Sequence, residues 1–118
     1  MSENSLKGKN NLSLAKPIYP QDIAQGRLSE FKVFDIRDKS DYDSAHIRES
    51  RNFSNAQDIY QYALQNKNVK ILLVCYSGHT ASVVGTRLVE AGCENIYYFD
   101  DYFTHFELLG LLNTQQES

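Results

Sequence analysis

The 118-residue chain has no tryptophan, one methionine, two prolines and two cysteines. Two cysteines, Cys75 and Cys93, make no disulfide framework of the kind that staples small secreted domains. They are not spaced like zinc ligands, and His46, His79 and His105 are scattered. No metal site is expected from this spacing, and no cofactor. A basic stripe is also missing: the net charge is -3, so the electrostatic footprint of nucleic-acid binding is absent. The uncharged apolar runs are far too short to span a bilayer. Met1 to Leu14 has neither the hydrophobic core of a signal peptide nor an Arg-rich amphipathic pattern. The expectation is a cytoplasmic protein.

What is present suits one soluble domain. Apolar residues are 42% and charged residues 23%, and eight Tyr and six Phe supply the aromatics. A chain of this length buries a core without staples. Residues 1–15 are polar and aperiodic and read as a loose arm; residues 113–118 read as a tail. Between them, residues 16–112 form the expected domain.

Strand and helix signals alternate along it. Residues 18–19, 32–36, 70–75 and 96–99 read as strands. Residues 20–25, 40–45, a stretch from Ser54, 81–91 and 102–109 read as helices. Ser54 and Gln57 have capping-box spacing, and Gly92 is a typical residue just past a helix end. Such alternation implies a parallel sheet of about five strands with helices on both faces, an α/β fold. Ligands in these sheets bind beyond the strands' carboxyl ends.

Cys75 stands at that position. It closes the run Ile71–Leu72–Leu73–Val74 and precedes Tyr76–Ser77–Gly78–His79–Thr80 and a helix. A cysteine after an apolar run is more often a small buried hydrophobe than a catalyst. The loop shifts the balance. Successive amides can form an anion-binding nest, and the helix N-terminus adds positive potential. Both favour the thiolate, which is the nucleophile.

Three segments together resemble the rhodanese (sulfurtransferase) family. One is Val33–Phe34–Asp35–Ile36–Arg37 with Asp41–Tyr42 and His46–Ile47. The second is the loop Cys75–Tyr76–Ser77–Gly78–His79–Thr80 with Ala81. The third is Glu90–Ala91–Gly92 followed by Ile96–Tyr97–Tyr98–Phe99. The resemblance covers roughly residues 17–110, in the family's order. It implies that Cys75 attacks a sulfane sulfur donor, becomes a persulfide and passes sulfur to a thiophilic acceptor. It also implies that Tyr76, Ser77, Gly78, His79 and Thr80 bind the transferred sulfur through their amides. The implied partners are a small-molecule or protein-bound sulfur donor and a thiol or other thiophilic acceptor. Asp35 and Arg37 read better as a structural pair than as catalysts, and Cys93 as packing. Thr80 has two readings, a donor toward sulfur or a helix cap.

Departures from the family pattern bear on substrate. Asp100–Asp101 stand where two glycines are common, and the Cys75 loop holds no Lys or Arg. Thiosulfate is therefore not the expected best donor; a persulfide, polysulfide or protein-bound sulfur fits better. A phosphatase or arsenate reductase of this fold is disfavoured, because it needs Cys-x5-Arg and position 81 is Ala. A non-catalytic rhodanese-like binding or regulatory module is the alternative.

Overall fold

Ile71, Leu72, Leu73 and Val74 are fully buried, yet they serve two different cores. Strand side chains alternate between faces. Ile71 and Leu73 therefore join one cluster, with Phe34, Ile59, Ala63, Ala81, Leu88 and Tyr98. Leu72 and Val74 join the other, with Ile18, Ile23, Val33, Ile47, Phe99 and Phe106. A strand buried on both faces reads as a continuous apolar run, as in parallel sheets.

The computed structural model describes residues 12–114. In chain order the elements are β1 (Lys16–Ile18), α1 (Pro20–Ala24), a 3-10 turn (Arg27–Glu30), β2 (Phe31–Asp35), α2 (Lys39–Ser44) and β3 (Ala45–Ile47). Then follow β4 (Arg51–Asn52), α3 (Ala56–Gln65), β5 (Lys70–Val74), α4 (His79–Glu90), β6 (Ile96–Phe99), α5 (Thr104–Leu108) and β7 (Leu112–Thr114). The main sheet has five parallel strands in the order β1-β6-β5-β2-β4. Helices α3 and α4 supply Ile59, Ala63, Ala81 and Leu88 to one face, and α1 and α5 supply Ile23 and Phe106 to the other. The expected sheet and its two helical layers are both present.

Several boundaries differ from those read off the sequence. The helix from Ser54 is capped by Asn55, whose side chain accepts from the Asp58 amide at 2.9 Å. Asn55 has the extended backbone that a cap requires, so the cap falls one residue later. The last helix is trimmed to Thr104–Leu108, and an unforeseen antiparallel pair joins β3 to β7. Residues 1–11 of the expected arm and 115–118 of the tail lie outside the described residues. Contacts run past 16–112 at both ends. Ser13 Oγ donates to the Ser82 carbonyl at 2.8 Å, Ala15 is buried, and Asn113 pairs with His46. Among the described residues no helix is long and apolar enough to cross a membrane.

The connections place the site. From β2 the chain runs outward to the edge strand β4, then returns to β5 on the other side of β2. The crevice beyond the carboxyl ends of β2 and β5 lies where these connections diverge, which is where such sheets bind ligands.

Candidate active site

Cys75 directly follows β5 and shares the parity of Ile71 and Leu73, so its side chain joins the cluster under α3 and α4. It is 5% exposed. Two backbone amides converge on its sulfur: Gly78 N–H at 3.2 Å and Ala81 N–H at 3.3 Å. The first comes from the loop and the second from the opening turn of α4, where helix amides lack an intrahelical acceptor. Among the described residues the amides of Tyr76, Ser77 and Thr80 donate to no protein acceptor. A sulfur anion here meets fixed donors and the positive end of α4.

Gly78 makes this turn possible. Its φ is +89°, the left-handed region that glycine enters without a Cβ penalty. It also lies against the chain after β6: a Cβ would meet Phe99 O at 2.9 Å and Asp101 N at 3.1 Å. The Cys75 loop and the loop after β6 are thus in backbone contact. The Phe103 amide adds a bond to the Tyr76 carbonyl at 2.8 Å.

Beside β5, β2 ends at Asp35, in register with Val74. Arg37 grips Asp35 through its amide, Nε and Nη2, at 2.8 to 3.1 Å. Nη2 also donates to the Ala45 carbonyl at 2.7 Å. Both side chains are buried, and Nε and Nη2 of the guanidinium donate to Asp35, with Nη2 shared with Ala45. The pair ties β2 to β3, as its structural reading requires, and the guanidinium carbon also lies 5.6 Å from the centre of the Tyr76 ring.

Of the expected site residues, Gly78 is buried, Ser77 is half-buried, and Tyr76, His79 and Thr80 are exposed. Gly78 is the cap residue of α4; Thr80 lies inside the first turn and makes no side-chain cap bond. Ala81 is the donor that residue-type reasoning missed. Its contribution is a backbone amide, which any side chain there would leave unmarked. Arg48 and Arg51 have partners elsewhere, and Arg87 sits at the far end of α4. Arg48 donates to the Gly110 and Leu112 carbonyls, Arg51 lies over Phe53, and Arg87 is in the last turn of α4.

Asp101 accepts from the Tyr102 amide at 2.7 Å and lies 3.1 Å from His105 Nε2, bracing the start of α5. Asp100 is buried. Burial, with help from the Asp100 charge, pushes the Tyr98 and Tyr19 phenols upward. A hydrogen bond to the Asp41 carboxylate, with partial desolvation, raises the Tyr76 phenol. Burial also raises the Cys93 thiol. Among the described residues no three His, Cys, Asp or Glu side chains are grouped to hold a metal.

This architecture has relatives. A protein from Pseudoalteromonas translucida named thiosulfate sulfurtransferase GlpE is 35% identical over 75 residues, covering 64% of this chain and 71% of its own. A protein of the same name from Tolumonas auensis is 31% identical over 84 residues, covering 70% of this chain and 78% of its own. Among solved structures, Helicobacter pylori protein hp1203 superposes with a TM-score of 0.73 at 21% identity, over 85% of this chain and 90% of that one. The rhodanese-like domain of an Anabaena protein superposes with a TM-score of 0.69 at 20% identity, over 89% of this chain and 83% of that one. These two show the shared fold. The family profile described as Rhodanese-like domain matches residues 20–107, from α1 to near the end of α5, and the chain therefore belongs to the rhodanese-like family.

Proposed function

We propose that this protein is a sulfurtransferase that carries sulfane sulfur on Cys75 as a persulfide. The observation that carries the reading is the convergence of the Gly78 and Ala81 amides on Cys75 Sγ. A merely packed cysteine has no need of two aligned donors. The names of the GlpE relatives support the reaction class.

The step balances simply. The Cys75 thiolate attacks the outer sulfur of a donor R–S–SH. The donor S–S bond breaks, a new S–S bond forms on Cys75, and R–S⁻ departs. An acceptor thiolate then attacks the outer sulfur of the Cys75 persulfide and restores the Cys75 thiolate. No external oxidant or reductant enters. The amides of Tyr76, Ser77 and Thr80 are the donors left for the outer sulfur and for charge that develops on it. Both cysteines are free thiols, which suits a reducing, cytoplasmic setting.

Intact mass before and after exposure to a sulfane donor tests the proposal. One sulfur atom gained at Cys75, and lost again to added thiol, supports it. No gain from thiosulfate, polysulfide or a persulfide overturns it and leaves a non-catalytic binding module as the reading.

A further inference from the structure

We infer that residues 13–15 form a strap that positions α4 for the chemistry of Cys75, with Ser13 and Ala15 as its positioning residues. The inference rests on the sulfurtransferase reading and adds to it the contact that holds the sulfur cradle in place.

Ser82, Gly85 and Thr86 are spaced three and four residues apart and share one face of α4. The strap lies along that face. Ser13 Oγ donates to the Ser82 carbonyl at 2.8 Å and stands 3.1 Å from Thr86 Oγ1. The Leu14 amide donates to Thr86 Oγ1 at 3.0 Å, and the Ala15 amide donates to Ser13 Oγ at 3.2 Å. A hydroxyl has one proton and two acceptor lone pairs. With the Ser13 proton on Ser82, Thr86 is the donor between the two hydroxyls. Each hydroxyl then donates and accepts at once, and the strap closes as a single network.

Ala15 is buried, and Gly85 leaves the space for it. A Cβ at Gly85 would stand 2.7 Å from Ala15 Cβ, too close for two carbon atoms, whereas its next neighbours in Ile96 and Leu73 lie at 3.7 and 3.8 Å. Glycine is a poor residue for a helix interior. Its place inside α4 is explained by this close approach.

The strap grips the sulfur end of the helix. Ser82 lies at the end of the first turn of α4. Its amide donates to the Gly78 carbonyl at 2.9 Å, and its hydroxyl donates to the His79 carbonyl at 2.6 Å. Gly78 and Ala81, which bound this turn, are the residues whose amides reach Cys75 Sγ. Fixed donors stabilise charge on sulfur only while they stay aimed at it. Without the strap the opening turn loses its outer anchor, and the Ala81 amide drifts from the sulfur.

The test uses the full chain and a size swap across the contact. Gly85→Ala pushes Ala15 off α4, and the Ala15→Gly/Gly85→Ala double variant removes the clash. Ser13→Ala cuts the anchor without adding bulk. Gly26→Ala is the control, a strained glycine that no atom crowds. Iodoacetamide labelling of Cys75 is followed across pH by mass spectrometry, sulfur loading by intact mass, and stability by urea. Gly85→Ala and Ser13→Ala are expected to slow Cys75 labelling at neutral pH about two- to fivefold, the scale of one helix-end interaction. Their labelling profiles should move to higher pH, and sulfur loading should slow in step. The double variant should return both rates toward wild type. Unchanged labelling in Gly85→Ala and Ser13→Ala overturns the inference. So does a double variant no better than Gly85→Ala, or an equal displacement in Gly26→Ala. Each of these leaves the sulfurtransferase reading intact. A wild type that loads no sulfur sinks that reading, while the labelling series still decides the strap.

Discussion

The Arg37 guanidinium carbon lies 3.7 Å from the centre of the Phe103 ring. Phe103 in turn holds the carbonyl of Tyr76, the residue after the nucleophile. The end of β2 is thereby coupled to the Cys75 loop through one buried cation and one aromatic ring. Asp35 and Arg37 need not touch a substrate to matter to the site.

Arg37→Ala should therefore be severe. It strands the Asp35 carboxylate, which is 0% exposed, and breaking a buried pair typically costs about 3–5 kcal/mol. Arg37→Lys should recover only part, because an ammonium cannot reproduce the bidentate fork. Urea unfolding of both variants checks this. A loss for Arg37→Ala no larger than that of an exposed arginine, such as Arg87→Ala, contradicts it.

Gly78 and Gly26 offer a matched comparison. Both have φ near +90° (89° and 90°), but only Gly78 is crowded by Phe99 O and Asp101 N. Alanine at either site meets the left-handed penalty of roughly 1–2 kcal/mol. Gly78→Ala should lose more stability than Gly26→Ala and also lose sulfur loading, because the loop amides must shift away from Cys75. Unfolding midpoints and loading rates read the difference. Equal behaviour of the two variants counts against a rigid loop-to-loop contact.

The two cysteines should separate chemically. Cys93 is buried and its thiol is pushed upward by desolvation, so it holds little thiolate at neutral pH. Cys75 has two amides on its sulfur. Iodoacetamide labelling, mapped by mass spectrometry, should mark Cys75 well before Cys93. Cys75→Ser should abolish sulfur loading, and Cys93→Ser should leave most of it. Faster labelling at Cys93 would remove the electrostatic argument for Cys75.

Alkaline pH should weaken the fold. Burial, then Asp100 and Tyr19, raise the Tyr98 phenol above its ordinary value. Between the unfolded value of about 10 and the raised native one, the folded state keeps a proton that the unfolded state has lost. This contribution is complete below about pH 10 and declines as pH rises through that window. Urea midpoints measured from mildly to strongly alkaline pH should fall in the wild type. The fall should be shallower in Tyr98→Phe, and an unchanged slope there contradicts the assignment.

The local features of this protein were legible in its sequence because they depend on near neighbours. The apolar run 71–74, the Gly78 turn and the stripe of the following helix are patterns of a few residues. They place Cys75 at a strand end before a helix, and the strand–helix alternation implies the parallel sheet. Even at this scale Asn55, not Ser54, caps α3, since two good cap residues stand side by side and only the folded backbone chooses.

Tertiary structure decided the rest. The order β1-β6-β5-β2-β4 brings Asp35 beside Val74, although 38 intervening residues separate them along the chain. The docking of Ser13 and Ala15 onto α4, and the close approach of Ala15 Cβ to the space beside Gly85, have no sequence signal. The Ala81 amide on Cys75 has none either. Sequence names side chains, whereas the sulfur cradle is built from backbone N–H groups that nearly every residue possesses. Where those groups point is settled only when the helices close over the sheet.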